Sequence, residues 1–313
     1  MSATALPWID AAALERLMPV ADAVATVEAA VRAGLDPSGD PPRGVVETAH
    51  GQLLLMPAET PAAVGIKVTS VAPGNPERGL PRIQAVYVLM DAGTLTPIAL
   101  LDGTALTALR TAAVSGVAVR RLAAPDAARL VVFGSGPQAD AHIRALCAVR
   151  PIEDVVVVGR DPGRAAACAD RAAALGLRAR AGSAKNVADA DIVVCATTAR
   201  TPLFDGAGVR DGACVVAVGS HEPDARELDA ELLGRATVVV EDRATALREA
   251  GDVVIAVREG RLSVDALVAL ADVITSGEIR LSAGPRVFKS VGMSWQDLVV
   301  ATEIHRRNTR APR

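Results

Sequence analysis

Apolar residues in the middle of the chain form short unbroken runs, whereas those before it follow an alternating or helical spacing. From residue 128 to residue 242 the runs are separated by alanine-rich, helix-like segments such as residues 163–174. The predicted strands of this region are residues 130–133, 155–158, 177–181, 192–196, 214–218 and 237–240. Continuous valine-rich runs are typical of parallel strands buried on both faces. The pattern therefore predicts a doubly wound parallel α/β sheet of the Rossmann type.

The regions on either side predict a second domain of mixed α+β character. Its predicted helices are residues 10–18, 20–35 and 104–122. Its predicted strands are a hairpin over residues 43–57 that turns at His50-Gly51, then residues 62–71, 83–90 and 96–101. We expect a strand at 286–291 and an amphipathic helix at 294–308 to return to it. The expected division is residues 1–122 and 286–313 around a Rossmann domain of residues 123–285.

A glycine-rich turn follows the first strand of the predicted Rossmann domain. Gly134, Gly136 and Ala139 form a G-x-G-x-x-A pattern between an apolar run and a helix-like segment. The first glycine permits a tight turn, the second lets backbone approach a pyrophosphate, and the alanine keeps helix and strand close. The motif predicts a dinucleotide redox cofactor.

The end of the second strand bears on which dinucleotide binds. Gly159, Arg160 and Asp161 follow it, so the strand end lacks the acidic residue of enzymes that use NAD, and an arginine comes immediately after. We predict a preference for NADP(H), with NAD(H) as the alternative if Asp161 binds the ribose. Thr197 ends the fourth strand and faces the ligand crevice in this fold, although a polar turn there explains it equally well.

Three basic residues and a histidine are candidates for substrate chemistry. Arg110 lies on an otherwise apolar helix, where a guanidinium needs a carboxylate or phosphate from a ligand or from an internal salt bridge. Lys67, one of three lysines among 33 basic residues, lies on a strand preceded by Arg43. If the three converge, they bind a small anion; taken singly, each is more often a surface charge. His221 follows the fifth strand, where an imidazole can exchange a proton beside a nicotinamide.

Composition excludes several classes of protein. A net charge of −3 gives no nucleic-acid footprint, and no apolar run approaches the roughly 20 residues that a membrane helix needs. The four cysteines form no C-x-x-C pair, as expected of core residues in a reducing cytoplasm. We predict a cytoplasmic protein with no metal site, no nucleic-acid partner and no membrane partner.

Five segments in order resemble the ornithine cyclodeaminase/μ-crystallin family. They are Gly65-Ile-Lys67, the run from Leu106 to Ser115, Gly134-Ser-Gly-Pro-Gln138-Ala, the run from Val218 to Asp229, and Val287-Phe-Lys-Ser-Val-Gly-Met293. The resemblance implies a homodimer in which Arg43, Lys67 and Arg110 bind the substrate carboxylate. It also implies cofactor contacts from Arg110, Thr111, Gly134, Gly136, Pro137, Gln138, Arg160, Thr197, Val218, Gly219, Ser220, His221 and Val291.

Two departures within this resemblance bear on the reaction. Leu54 and His221 stand where cyclodeaminases carry a glutamate and an aspartate that handle the substrate's amino groups. The run from Gly219 to Leu228, with Pro81-Arg82-Ile-Gln84 upstream, more closely resembles the branch that reduces the cyclic ketimines Δ1-pyrroline-2-carboxylate and Δ1-piperideine-2-carboxylate to L-proline or L-pipecolate. The predicted reaction is hydride transfer to C2, with Lys67 or His221 supplying the proton unless the imine binds already protonated.

Three other functions stay open from the sequence. An ornithine cyclodeaminase would convert L-ornithine to L-proline and ammonia. An amino-acid dehydrogenase, such as alanine dehydrogenase, would use an open-chain oxo acid. A non-catalytic NADP-dependent binding protein of the μ-crystallin type would have no need of the carboxylate-binding residues Arg43, Lys67 and Arg110.

Overall fold

The chain forms two compact units in a computed structural model that describes residues 6–276 and 283–310. The first unit holds the described residues of Met1–Ala30, Leu35–Arg110 and Met293–Arg313. The second holds Val31–Gly34 and the described residues of Thr111–Gly292. These boundaries differ from the predicted ones, which lay at residues 122 and 285. The helix expected at 104–122 is continuous, and the division falls within it.

The elements of the amino-terminal part are β1 (Trp8–Ile9), α1 (Ala11–Leu17), α2 (Val20–Arg32), β2 (Gly44–Thr48), β3 (Gly51–Thr60), β4 (Ala63–Val71), β5 (Ile83–Asp91), β6 (Pro97–Asp102) and α3 (Gly103–Leu122). The elements that follow are β7 (Arg129–Phe133), α4 (Pro137–Cys147), β8 (Asp154–Val158), α5 (Pro162–Ala173), β9 (Arg178–Ala181), β10 (Ile192–Cys195), β11 (Cys214–Ala217), α6 (Ala230–Arg235), β12 (Thr237–Val240), α7 (Arg243–Glu249), α8 (Gly251–Arg258), β13 (Val268–Ala269), α9 (Leu270–Thr275), β14 (Arg286–Lys289) and α10 (Ser294–Arg310). Short 3-10 helices lie at Pro37–Gly39, Asn75–Arg78, Ala184–Asp189, Gly206–Gly208 and Val264–Ala266.

The first unit is built on a six-stranded sheet in the order β1-β6-β5-β4-β3-β2. Strands β2 to β6 are antiparallel, and the predicted hairpin is confirmed by β2 and β3, which pair up to Thr48 and Gly51. Helix α10 packs on β3 and β4. Asp40 accepts hydrogen bonds from the backbone N–H groups of Ser294 (2.6 Å) and Trp295 (3.0 Å), so its carboxylate caps the start of α10.

The second unit is built on an eight-stranded sheet in the order β13-β12-β14-β11-β10-β7-β8-β9. Every strand pair in this sheet is parallel. From β7 the chain adds β8 and β9 on one side of the sheet and then returns to add β10 on the other side of β7. This reversal of strand order is the switch point of a doubly wound fold. The predicted Rossmann-type sheet is therefore confirmed, and its carboxyl-terminal edge is where ligands bind in such folds.

Two expectations about strands were wrong. The strand at Arg286–Lys289 does not return to the first unit, because it lies between β11 and β12 in the parallel sheet. Its apolar residues Val287 and Phe288 are fully buried there. Strand β9, expected to be buried on both faces, is the edge of the sheet, and Arg178 and Arg180 on it are exposed. Apolar patterning marks a strand but does not give its neighbours in the sheet.

None of the helices within the described residues has the length and apolar character required to cross a membrane.

Candidate functional site

Lys67 lies on the buried face of the central strand β4 of the first unit. Side chains alternate along β4, and Lys67 shares its face with the buried residues Ala63, Gly65 and Thr69. Only 1% of Lys67 is exposed. An ammonium removed from water to this extent requires a counter-charge or a ligand.

Asp297 on α10 supplies that counter-charge and shares it with Arg110. The Lys67 Nζ atom lies 2.7 Å from Asp297 Oδ2, and the Arg110 Nε atom donates to Asp297 Oδ1 at 3.3 Å. Arg110 Nη1 donates to Gln296 Oε1 at 2.8 Å. The Asp297 side chain is fully buried. The internal salt bridge left open for Arg110 is therefore present, but one carboxylate faces two cations, so a net positive charge remains.

The two cations keep hydrogen-bond donors that no described residue occupies. Lys67 has one described acceptor, the Asp297 carboxylate, although an ammonium carries three N–H groups. The Arg110 Nη2 atom has no described acceptor. These N–H groups, beside a net positive charge, can donate hydrogen bonds to the carboxylate of a small molecule.

Arg43 completes the cluster predicted from the sequence. Burial and the neighbouring Arg110 charge lower the pKa of Lys67 to about 8, while Asp297 opposes them and Arg43 lowers the pKa further. The Arg43 side chain, just before β2, is thus close enough to repel the ammonium. The structure brings Arg43, Lys67 and Arg110 together as what we call the cationic cluster.

Tyr87 lies beside the cluster and explains the glycine of the Gly65-Ile-Lys67 segment. Tyr87 pairs with Lys67 across β4 and β5, and its hydroxyl lies over Gly65. A Cβ atom on Gly65 would meet that hydroxyl at 2.1 Å. Burial and the charges of Asp297 and Asp40 raise the pKa of Tyr87 well above 10, so the phenol keeps its proton.

Asp297 and Gln296 were not found by sequence reasoning. They are 230 and 186 residues away from their partners Lys67 and Arg110, so no local spacing links them. One signal was available. Asp297 falls on the same stripe of α10 as the buried Ala301 and Ile304, and an acid on an apolar stripe indicates an internal cation.

In the second unit, the glycine turn has the geometry that the motif predicts. Gly134 has φ +112°, and a Cβ atom there would meet the Ala196 carbonyl oxygen at 2.4 Å. Gly136 caps helix α4, and a Cβ atom on it would meet no described atom within 4 Å beyond its chain neighbours. Packing within the protein does not require glycine at position 136. The open space above the start of α4 fits an approaching phosphate group.

The first turn of α4 is held from beneath by His142. His142 is fully buried, and burial lowers its pKa to about 4. Its neutral ring contacts the Gln138 carbonyl oxygen (2.7 Å, Nδ1) and the Ser115 hydroxyl (2.9 Å, Nε2). The Gln138 side-chain Oε1 atom is buried and has no described partner, which leaves it for a bound molecule.

At the end of β8 the two residues that bear on cofactor choice are in different situations. Asp161 caps helix α5, accepting a hydrogen bond from the Arg164 N–H at 3.0 Å. Arg160 is exposed and has no hydrogen-bond or ion-pair partner among the residues described. The acidic side chain is therefore engaged, and the arginine is available to a ligand.

Buried carboxylates hold the turns at the carboxyl ends of the other strands. Glu227 accepts hydrogen bonds from Thr197 N (2.8 Å), Thr197 Oγ1 (2.7 Å) and Gly219 N (2.7 Å). Glu241 accepts hydrogen bonds from Ser290 Oγ (2.9 Å), Val291 N (2.8 Å) and Gly292 N (2.9 Å). Predicted cofactor residues thus lie on turns whose backbone is fixed. His221, half-buried, follows Gly219 and Ser220 on the same turn as predicted.

No cluster of three or more His, Cys, Asp or Glu side chains suited to a metal is present in the described part of the chain. The four cysteines are free, and Cys168, Cys195 and Cys214 are buried.

Known proteins resemble this chain over nearly its whole length. The model of the ornithine cyclodeaminase/mu-crystallin family matches residues 9–311. A Delta(1)-pyrroline-2-carboxylate reductase of Bacillus cereus is 37% identical over 281 residues, which cover 85% of each chain.

Two solved structures share the fold closely. The Thermococcus litoralis Delta(1)-pyrroline-2-carboxylate reductase, in complex with NADH and L-proline, matches with a TM-score of 0.90 and 32% identity over 97% of this chain and 98% of that one. An archaeal alanine dehydrogenase, described as a dimer with bound NAD, matches with a TM-score of 0.90 and 29% identity over 97% and 96% of the two chains.

The shared carboxylate of Asp297 leads to a prediction about stability. Asp297→Asn keeps the shape of the side chain but leaves Lys67 and Arg110 buried without their counter-charge. We expect the free energy of unfolding in urea to fall by about 3 kcal/mol or more. Asp211→Asn is the matched control, because Asp211 pairs with Arg235 but is 73% exposed, and it should change stability by less than about 1 kcal/mol. Equal small losses of unfolding free energy in both variants would contradict the assignment of Asp297 as the shared counter-charge of Lys67 and Arg110.

Proposed function

Because the chain belongs to the ornithine cyclodeaminase/mu-crystallin family, we propose that it is an NAD(P)H-dependent reductase of cyclic ketimines. The substrates are Δ1-pyrroline-2-carboxylate or Δ1-piperideine-2-carboxylate, and the products are L-proline or L-pipecolate. The observation that carries the proposal is the buried pair Lys67 and Arg110 within the cationic cluster, whose unshared donors suit the carboxylate of such an imine. Its relatives named as pyrroline-2-carboxylate reductases support the same reaction.

The cationic cluster binds and orients the substrate. Arg110 Nη2 and the remaining N–H groups of Lys67 donate to the carboxylate, and Arg43 adds a third positive charge. Lys67 and Arg110 are held by Asp297, so their positions are set before the substrate arrives. Orientation of this kind contributes several of the roughly 7–11 kcal/mol that positioning can supply.

Lys67 also holds the proton that the reaction consumes. Addition of hydride to C2 moves the π electrons of the C=N bond onto the ring nitrogen, which must therefore carry or receive a proton. Because burial and Arg110 lower the pKa of Lys67 to about 8, its ammonium is protonated at pH 7 yet acidic enough to give up that proton. His221 is the alternative donor.

The second unit binds the dinucleotide, whose reduced nicotinamide supplies the hydride when bound. Gly134 and Gly136 shape the phosphate turn, and Gln138 offers its unpartnered buried oxygen. The turns at Thr197, at Val218 to His221 and at Val291 lie at the carboxyl ends of neighbouring strands and contact the rest of the cofactor. Thr111, Pro137 and Arg110 complete the set of cofactor residues that the family resemblance implies.

We propose that NADP(H) is preferred over NAD(H). Arg160 is exposed and has no described partner, whereas the Asp161 carboxylate is engaged as a helix cap. An available arginine favours a 2′-phosphate, and an acid that would bind the ribose hydroxyls is absent from the strand end. The relatives' structures hold NADH or NAD, so the proposed preference rests on this chain's own residues alone.

Leu54 favours reduction over ornithine cyclodeamination. Leu54 is buried on the same face of the sheet as Lys67, paired with Thr69. An apolar side chain at this position provides no carboxylate to handle an amino group. A second candidate is an open-chain amino-acid dehydrogenase, which the likeness to the archaeal alanine dehydrogenase favours.

We also propose that the chain is a cytoplasmic homodimer. The sheet face opposite Lys67 carries Leu55, Val64, Ile66, Val68 and Val86, all half-buried, where the outer face of an antiparallel sheet is usually polar. A second copy of the chain would cover this face, and the archaeal alanine dehydrogenase is described as a dimer. The free cysteines support a reducing compartment.

The reaction is tested by mixing the protein with NADPH and Δ1-pyrroline-2-carboxylate and following the absorbance of the reduced cofactor. Lys67→Met should lower kcat/KM by about a thousandfold, because it removes both a carboxylate contact and the proton. The Kd of NADPH should stay within about twofold, because Lys67 is assigned to the substrate carboxylate and not to the dinucleotide. Ammonia release from ornithine, or turnover of pyruvate with ammonium, in place of imine reduction would favour the other enzymes.

The pH dependence separates the two proton donors. If Lys67 donates, kcat/KM falls as pH rises through about 8, where its ammonium is lost. Lys67→Arg keeps the charge but does not titrate in this range, so its residual activity should lack that fall. His221→Asn should retain it. The reverse pattern in these two variants would assign the proton to His221.

Arg160→Ala tests the cofactor preference. We expect the KM for NADPH to rise about tenfold, because a charge-assisted hydrogen bond to the 2′-phosphate is lost. The KM for NADH should change little, since its ribose carries no phosphate. Arg144→Ala, on the exposed side of α4, is the control and should affect neither. An equal effect on both cofactors would remove Arg160 from the 2′-phosphate site.

Val68→Glu tests the dimer by placing a charge in the middle of the apolar face. Wild-type protein should have twice the 32.1 kDa chain mass by light scattering after size exclusion, and the variant should shift to the monomer mass. Val264→Glu, at a position that is 42% exposed in the second unit, should stay dimeric. A monomeric wild type would contradict the proposal.

A further inference from the structure

Glu227 is a fully buried acid at the carboxyl-terminal edge of the parallel sheet. Neither the glycine motif at Gly134 to Ala139 nor the proposed imine reduction assigns it a role. One of its oxygens accepts hydrogen bonds from the backbone N–H and the hydroxyl of Thr197, just after β10. The other accepts the backbone N–H of Gly219, just after β11. A single carboxylate therefore joins the turns that follow two adjacent strands.

The two turns are packed against each other as well as bonded through the acid. A Cβ atom on Gly219 would meet the Thr197 carbonyl oxygen at 2.1 Å and Glu227 Oε1 at 2.5 Å. Three donors converge on the carboxylate, and no acceptor does, which is the arrangement of an ionised acid. Little freedom remains for either turn while Glu227 is in place.

The backbone of Glu227 is itself held by the buried ion pair of Asp252 and Lys289. The Asp252 Oδ1 atom accepts hydrogen bonds from the backbone N–H groups of Glu227 (2.7 Å) and Leu228 (2.8 Å). Asp252 Oδ2 lies 3.0 Å from the Nζ atom of Lys289 on β14, and both side chains are fully buried. Lys289 also donates to the Ser220 carbonyl oxygen at 2.7 Å.

Lys289 thus connects Asp252, which holds the backbone of Glu227, to the turn after β11. Burial raises the pKa of Glu227, and the Lys289 ammonium opposes this rise. The lysine therefore supports the ionised form of an acid that would otherwise be driven toward its neutral form.

We infer that Glu227 is the positioning residue of the dinucleotide site: it fixes the turns at Thr197 and Gly219, with Asp252 and Lys289 as its supports. This inference rests on the proposed function for the identity of the ligand. Glu227 does not touch the cofactor; it acts through the backbone of residues that do. Its effect is on affinity for the dinucleotide rather than on the substrate cluster of the first unit.

Glu227→Gln tests the inference. Glutamine has one acceptor oxygen and places an N–H₂ group against a backbone N–H, so only one of the two turns stays bonded. Titration followed by the fluorescence of bound NADPH and NADH should show both Kd values raised by about tenfold or more. At saturating cofactor, the KM for Δ1-pyrroline-2-carboxylate should stay near that of the wild type.

Asp229→Asn is the matched control. Asp229 is also a carboxylate that holds two backbone N–H groups, those of Gly206 and Leu232, at 2.7 and 2.9 Å. Its bonds are not to the predicted cofactor turns, so its variant should lower the melting temperature but leave both Kd values near those of the wild type. A purely structural Glu227 would behave in the same way. An unchanged Kd in folded Glu227→Gln would therefore overturn the inference.

Glu227→Asp covers the case in which the glutamine variant does not fold. Aspartate keeps the charge for Lys289 and Asp252 but is one methylene shorter, so it reaches one turn and not both. Its Kd for the dinucleotides should also rise, and a wild-type Kd would overturn the inference. Because binding is measured without substrate, a protein that binds dinucleotide but does not reduce imines would contradict the proposed function and still allow this test.

Discussion

The Asp297 carboxylate is the interaction on which the chemistry of the first unit depends. It is the buried counter-charge of both Lys67 and Arg110, at 2.7 and 3.3 Å. Removing an ammonium and a guanidinium from water is unfavourable unless each finds an anion, and here one anion serves both. The same sharing leaves the pair with a surplus of positive charge. Stability of the unit and affinity for an anionic substrate therefore come from the same carboxylate.

The second unit uses buried acids in a different way. Glu227, Glu241 and Asp252 point their oxygens at backbone N–H groups of the loops that connect strands to the next element. Loops at the carboxyl ends of a parallel sheet have no neighbouring strand to satisfy their N–H groups, and a carboxylate does so in its place. The turns are thereby given one shape before any ligand binds, which reduces the entropy lost on binding.

Local patterns in the sequence were sufficient to predict the parallel strands, the hairpin and the glycine turn. The valine-rich runs became parallel strands, the hairpin turned between Thr48 and Gly51, and Gly134 adopts a positive φ in the tight turn that the glycine motif predicts. The convergence of Arg43, Lys67 and Arg110 could be predicted only through the family resemblance.

What could not be predicted depends on contacts between distant residues. The place of β14 between β11 and β12 is set by packing on both of its sides, which a four-residue run does not reveal. Glu227 and Asp252 lie on segments with no period that marks a buried acid, and Thr197 and Lys289, which they bind, are 30 and 37 residues away.

The scarcity of lysine has a consequence for solution chemistry. Of three lysines, Lys67 and Lys289 are almost completely buried in ion pairs, and Lys185 is exposed. An amine-reactive reagent therefore meets one accessible side-chain amine on the folded chain. Each further modified lysine reports the opening of a particular unit, Lys67 the first and Lys289 the second. The chain carries its own pair of chemical reporters, one in each unit, without any engineered label.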